Sequence, residues 1–232
     1  MDRHTGQITP LALLRLLRLA SPTLPIGAYS YSQGLESAIA ADIVTGESTA
    51  TAWIADNLMH SITRLEAPIF LRLHDAWSRA DFDAVCRWSD IFLASRDTAE
   101  FRAETLQMGY SLFKLLADLL PAHPLAAHFP ARGDDPLPAA MAAACVMLET
   151  PRTASLHAML FSWAENQVLA ALKAVPLGQV AGQRMLLALE PDIIAAAKSA
   201  LALDDDGIGN WTPGLSLLSM RHETQYSRIF RS

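Results

Sequence analysis

Apolar residues recur along most of the chain every three or four positions, which is the spacing of one face of an α-helix. Segments that alternate polar and apolar residues, as strands do, are rare, and β-branched residues are sparse. The pattern predicts an all-α protein, a single-domain helical bundle of about ten helices. The predicted helices cover residues 10–20, 35–42, 48–64, 68–79, 82–95, 98–119, 139–148, 153–174, 177–189 and 192–203, and a last helix begins near Pro213.

Residues that typically begin and interrupt helices set these boundaries. Thr9 and Pro10 are typical of the N-cap and first position of a helix, and Asp81 and Asp97 are the expected N-caps of helices 82–95 and 98–119. The strongest interruption lies at 120–138, which contains five prolines. Because the helical pattern is similar on both sides, we expect a long loop within one domain that covers residues 1–232.

Composition narrows the class of protein. The chain is 51% hydrophobic and 18% charged, which suits a substantial buried core, and its net charge of -6 argues against nucleic acid as a partner. We find no secretory signal, and no uncharged apolar stretch approaches the roughly 18 residues that a membrane span needs. Cys86 and Cys145 are expected to be reduced thiols. We therefore expect a soluble, cytoplasmic protein without a membrane or nucleic-acid partner.

Motifs for catalysis or metal binding are not evident. The sequence has no P-loop, no GxSxG and no CxxC. HETQY resembles the HExxH zinc helix, but Tyr226 stands where the second histidine should be. DDDGIGN resembles a calcium loop but lacks alternating ligands and a final Glu. We predict no catalytic residue and no metal site.

A polar stripe marks the otherwise apolar helix 153–174. Ser155, Ser162, Asn166 and Lys173 share a narrow face at 100° per residue, and Glu165 lies beside it. Such a stripe is explained either by hydrogen bonds inside a bundle or by a polar groove for a partner.

Two further segments carry side chains that favour contact. PIGAYSYSQGLE is stiffened by proline and displays Tyr29 and Tyr31, so it suits partner contact or a plug at one end of the bundle. The tail RHETQYSRIFRS combines three arginines with Tyr226, Ile229 and Phe230. We expect this tail to dock on its own domain or on another chain.

Three stretches together resemble UreF-type urease accessory proteins: LRLASPTLPIGAYSYSQGLE, WAENQVLAALKAVPLGQVAGQR and HETQYSRIFRS. RDTAEFRAETLQMG agrees more weakly, and the resemblance runs from about residue 10 to Ser232. It implies a homodimeric, all-helical, non-catalytic protein that bridges the accessory protein UreD (also called UreH) and the P-loop GTPase UreG. That assembly acts on the urease apoprotein, so that nickel enters its active site on GTP hydrolysis. No cofactor would be stably bound, since the complex handles nickel and the partner GTPase binds GTP.

The resemblance also implies roles for single residues. Tyr29 and Arg228 match contacts to UreD and across the complex, and Lys173 matches a position linked to UreG and the gating of its GTPase. The docking tail would cover about 221–232. The other partner-binding residues that we predict are Tyr31, Glu36, Glu165, Asn166, Gln179, Gln183, His222, Glu223, Tyr226, Phe230 and Arg231.

Two other classes of function remain open from the residues. A helical hydrolase of unknown substrate could use Glu165 or a histidine, but the sequence offers no paired acid and base. A helical dimer with unrelated partners is the third possibility.

Overall fold

The computed structural model describes residues 8–129, 134–209 and 211–232. Within those ranges it contains ten α-helices and no strand, which confirms the predicted all-α class. The helices are α1 (Pro10–Ala20), α2 (Leu35–Ala40), α3 (Glu47–Asn57), α4 (Glu66–Ser78), α5 (Phe82–Ala94), α6 (Ala99–Leu119), α7 (Leu137–Met147), α8 (Arg152–Ala174), α9 (Gln179–Ala202) and α10 (Pro213–Glu223).

Helix α7 lies at the centre because small side chains let its neighbours approach closely. Its residues from Ala139 to Ala144 are all buried, and α4 and α6 pack along it. Helix α8 packs against α9 and α1, while α10 closes the bundle against α2 and α6. Buried residues from all ten described helices contribute to one continuous core, which includes Leu112 on α6 and Leu218 on α10. The loop between α1 and α2, which contains Tyr29 and Tyr31, meets the C-terminal tail over α2, α6 and α8.

The helix boundaries agree with the prediction in most places and differ in three. Thr9 and Asp81 cap α1 and α5 as expected, since their side-chain oxygens accept from the amides of Ala12 and Ala84 at 3.2 Å and 3.0 Å. The prediction of Asp97 as the cap of α6 is wrong. Thr98 caps that helix, and the Asp97 carboxylate instead accepts a hydrogen bond from Ser216 on α10.

The second difference concerns Pro191, at which we expected two helices to separate. Helix α9 is continuous from Gln179 to Ala202 with this proline in its interior. Pro191 lies on the exposed face, while Leu189 and Ile193 on either side are buried. Packing of that apolar face thus outweighs the backbone hydrogen bond that proline removes.

The predicted helix 48–64 also changes form along its length. Regular α-helix ends at Asn57, and a π-helical turn, Leu58–Ile62, continues it. Cys145 is buried and Cys86 exposed, and both are free thiols. None of the described helices has the length and apolar character that crossing a membrane requires.

Candidate functional site

A buried carboxylate on α2 holds the backbone of the C-terminal tail. Glu36 is buried, and its two oxygens accept hydrogen bonds from the backbone amides of Ile229 at 2.7 Å and Phe230 at 2.9 Å. The side chain of Phe230 turns into the protein and is only 5% exposed, whereas that of Ile229 faces solvent at 62%. Glu36 therefore determines which side of the tail faces outward.

The end of the tail pairs with the N-terminal loop. The amide of Arg231 donates to the carbonyl oxygen of Ser30 at 2.8 Å, and the amide and hydroxyl of Ser32 donate to the carbonyl oxygen of Ser232 at 2.7 Å and 2.6 Å. Ser32 and Ser232 are both buried. The loop that displays the tyrosines and the tail that follows α10 thus form one continuous structure.

A tight turn brings the loop into this position. Gln33 and Gly34 both have left-handed backbone angles, with φ of 53° and 82°. A Cβ atom on Gly34 would lie 2.9 Å from a methyl group of Leu215, so glycine also allows α10 to approach. Two hydrogen bonds hold Gln33 in this less favourable conformation. Its side-chain oxygen accepts from the indole N–H of Trp163 at 2.6 Å, and its side-chain amide donates to Glu104. The turn starts α2 and so places Glu36 beneath the tail.

Glu104 on α6 anchors the last residue of the tail. Its carboxylate accepts from the hydroxyl of Ser232 at 2.7 Å and from the side-chain amide of Gln33. Burial raises the pKa of Glu104 to about 7, and the negative charge of Glu66 adds to this rise, while the two hydrogen bonds and Arg96 oppose it. This carboxyl is therefore poised to change its charge near neutral pH.

A second carboxylate on α6 joins the tail to α10. Glu100 accepts from the guanidinium of Arg228 at 2.9 Å and lies 2.8 Å from Nδ1 of His222. The other ring nitrogen of His222 lies 3.1 Å from Glu36. His222 itself is wholly buried. The two carboxylates and the two basic groups therefore form one connected cluster beneath the tail.

The polar stripe on α8 divides between two roles. Asn166 and Lys173 donate to the carbonyl oxygens of Tyr31 at 3.3 Å and Tyr29 at 3.2 Å, so this end of the stripe supports the loop. Ser155 instead bonds to Thr150 at 2.7 Å within the bundle. All of these hydrogen bonds lie within the chain, so the structure shows the first interpretation of the stripe, and the polar groove for a partner stays a prediction.

Lys173 also touches the tail. Its ammonium lies 5.4 Å from the ring centre of Tyr29 and 5.3 Å from that of Phe230. Such cation–π contacts favour a shared position of the three side chains. Lys173 remains exposed. One basic residue at the end of α8 therefore contacts both the loop and the tail.

The predicted partner-binding residues separate into an outward-facing and an inward-facing set. Tyr226 is fully exposed, and Tyr29 is 62% exposed. Exposed apolar side chains of the neighbouring α10 region are those of Trp211, Leu217 and Met220. The inward-facing set comprises Tyr31, Glu36, His222 and Phe230. Burial and Glu104 raise the pKa of Tyr31, and Arg231 opposes that rise through a hydrogen bond.

The remaining predicted residues lie at the edges of this network. Glu223 is exposed and accepts from the amide of Ala99 at 3.2 Å. Glu165 is partly buried beside the loop, and burial raises its pKa. Gln179 and Gln183 lie on the exposed side of the first two turns of α9.

Sequence reasoning missed the two carboxylates of α6. Glu100 and Glu104 are four residues apart and therefore lie on one helix face, next to the buried Phe101 and Thr105. Acidic residues spaced in this way on the apolar side of a helix were the available signal, in the stretch RDTAEFRAETLQMG. In the described part of the chain, no group of three or more His, Cys, Asp or Glu side chains is arranged to hold a metal ion.

The fold and the site together define an all-helical protein whose loop, tail and α8 form one composite surface. The family model for UreF matches residues 44–190, and the chain belongs to the UreF family. The chain is similar to proteins named urease accessory protein UreF from Janthinobacterium sp. (strain Marseille), with 56% identity over 222 residues, and Nitrosospira multiformis, with 54% identity over 222 residues. Each of these two comparisons covers 95% of this chain and 98% of the relative. A third such protein, from Dechloromonas aromatica, is 47% identical over 97% of this chain and 99% of its own length. The predicted family resemblance is confirmed.

Proposed function

We propose that this protein is a urease accessory protein that acts as an adaptor between UreD (UreH) and the GTPase UreG on the urease apoprotein. Membership of the UreF family and the names of its relatives support the link to urease. The observation that carries the adaptor role is the composite surface, on which buried polar groups hold a loop and a tail while aromatic side chains face outward. Such a rigid, aromatic-rich surface is typical of a protein interface.

The tail side of this surface is the proposed UreD-binding site. Tyr226, Arg228 and Ile229 lie in one short segment, and Tyr226 and Ile229 expose most of their side chains. A segment whose backbone is already held in place loses less entropy when a partner covers it. The partner would therefore contact a preformed surface rather than order a free segment.

The Lys173 side is the proposed UreG-facing site. Lys173 lies at the exposed C-terminal end of α8, and Gln179 and Gln183 follow on the exposed start of α9. Because Lys173 also contacts Tyr29 and Phe230, a change at the tail reaches the proposed GTPase contact through one side chain.

The division of labour follows from this arrangement. We propose that the chain is non-catalytic and holds no stable cofactor, that nickel is the cargo of the whole assembly, and that GTP is bound by UreG. We place this activity in the cytoplasm and assign it to one domain, 1–232, with its docking tail at about 221–232.

A homodimer is part of the proposal, and α1 offers the surface for it. Leu11, Leu14 and Leu17 are 57%, 64% and 59% exposed on the side of α1 that faces away from the core. Phe161 on the adjacent α8 is also exposed. Apolar faces of this kind are usually covered in the functional assembly.

Co-purification and urease activation together test the proposal. Tagged UreD should retain this chain and UreG, and a strain that lacks this gene should produce urease without activity until the gene is restored. Failure of the wild-type chain to bind UreD or to restore urease activity would contradict the adaptor function.

A further inference from the structure

The cluster beneath the tail places a histidine between two carboxylates. Nε2 of His222 lies 3.1 Å from Glu36, and Nδ1 lies 2.8 Å from Glu100. The imidazole has no solvent-exposed surface. It therefore lies too deep to touch a partner, although it belongs to the segment that we expect to dock.

The same two carboxylates also bind the tail. Glu36 accepts hydrogen bonds from the backbone amides of Ile229 and Phe230, and Glu100 accepts one from the guanidinium of Arg228. Each ring nitrogen of His222 therefore lies within hydrogen-bond distance of a carboxylate that holds the tail.

Through these two carboxylates, His222 is linked to the residues that follow Tyr226 in the tail. Glu100 holds Arg228, and Glu36 holds the backbone at Ile229 and Phe230, while α10 ends one residue after His222. Tyr226 thus lies between the end of α10 and these anchors. By orienting both carboxylates, the ring of His222 helps to fix the segment that contains Tyr226 at both of its ends.

We propose that His222 is a positioning residue for partner binding, which acts through Glu36 and Glu100 to fix the segment that presents Tyr226 and Ile229. The inference rests on the proposed function of the tail as a docking site. The positioning role of His222 differs from a purely structural role, because the helical bundle should stay folded when the tail is released.

His222→Gln tests this, since glutamine keeps a single amide group that can serve one carboxylate but not both. In the free chain, trypsin should cleave after Arg228 about a hundredfold faster than in the wild type, because leaving a buried carboxylate without its partner costs more than tail docking contributes. Far-ultraviolet circular dichroism should remain unchanged. His60→Gln, at an exposed histidine, is the matched control and should leave cleavage at the wild-type rate.

Binding to purified UreD provides the second measurement. Tyr226→Ala should weaken binding without altering cleavage. His222→Gln should weaken binding about tenfold, because the affinity falls in proportion to the docked fraction of the tail. Unchanged affinity, or wild-type cleavage in His222→Gln, would overturn the inference.

The docking function of the tail and the role of His222 are tested separately. If Tyr226→Ala binds UreD as the wild type does, the proposed docking function of the tail is wrong, while the cleavage assay still decides whether His222 fixes the segment. If His222→Gln loses its helical signal, Glu100→Gln replaces it, since this residue is partly accessible and its amide keeps one acceptor. Wild-type cleavage and binding in that variant would also overturn the inference.

Discussion

Phe230 and Ile229 are neighbours in the tail with opposite environments, and this makes a sharp test of how the tail is held. Phe230 is 5% exposed and packs near Lys173, whereas Ile229 is 62% exposed. Truncating a buried Phe to Ala in a packed core costs about 3–5 kcal/mol. Because the variant tail can leave its site, the loss in the free energy of unfolding cannot exceed the free energy of tail docking. We therefore expect Phe230→Ala to lower the free energy of unfolding by about 2–3 kcal/mol.

Urea unfolding followed by far-ultraviolet circular dichroism measures this difference. With a slope of about 2–3 kcal/mol per molar urea, the midpoint of Phe230→Ala should fall by about 1 M. Ile229→Ala is the matched control and should change the free energy of unfolding by less than about 0.5 kcal/mol. Equal shifts in the two variants, or no shift in either, would refute the arrangement of the tail.

Three further predictions concern other parts of the structure. Since burial raises the pKa of Glu104 from 4.5 to about 7, the folded chain binds a proton that the unfolded chain releases, and wild-type stability should fall between about pH 5 and about pH 8. Glu104→Gln should remove about 3 kcal/mol of that fall in stability, as measured by urea unfolding at both pH values. A pH dependence that is the same in the variant and the wild type would count against the prediction. Lys173→Ala should change the free energy of unfolding by less than about 1 kcal/mol but alter GTP hydrolysis by UreG in the assembled complex; a large drop in thermal stability would instead show a structural role. Leu14→Glu should convert the proposed homodimer into a monomer in light scattering, and a dimer that persists would exclude α1 as its interface.

Local sequence rules predicted the helices well because helix formation depends on short-range periodicity. They placed the caps at Thr9 and Asp81 correctly. They failed at Pro191, where the packing of the buried face of α9 overrides the local preference. They also failed at the start of α6, where they predicted Asp97 as the N-cap although the next residue, Thr98, caps the helix. A cap misplaced by one residue and a helix wrongly divided in two both result from tertiary contacts, which the periodicity of the sequence does not reveal.

The candidate site was predictable in its parts but not in its geometry. The tyrosine loop, Lys173 and the tail each stood out from their residue types. Their meeting depends on pairs such as Glu36 with Phe230, which are separated by 194 residues and joined only in the folded chain. For the same reason, residue type alone did not distinguish Tyr226, which faces solvent, from His222, which is buried.

This division also affects how the tail should be tested. Deletion of the tail from Gln225 onward would remove more than the proposed UreD-binding surface. The structure indicates that deletion would also leave the buried carboxylates of Glu36 and Glu104 without their tail partners, which is costly. Substitution of exposed residues separates binding from stability more cleanly.

The most direct test of the adaptor function is therefore the affinity of purified UreD for the wild-type chain and for the double variant Tyr226→Ala with Ile229→Ala. Both residues face solvent, so the variant should unfold at the wild-type urea concentration. We expect its affinity for UreD to fall by at least about a hundredfold, as for the loss of two interface anchors. Undiminished affinity in a variant of wild-type stability would contradict the claim that the tail surface binds this partner.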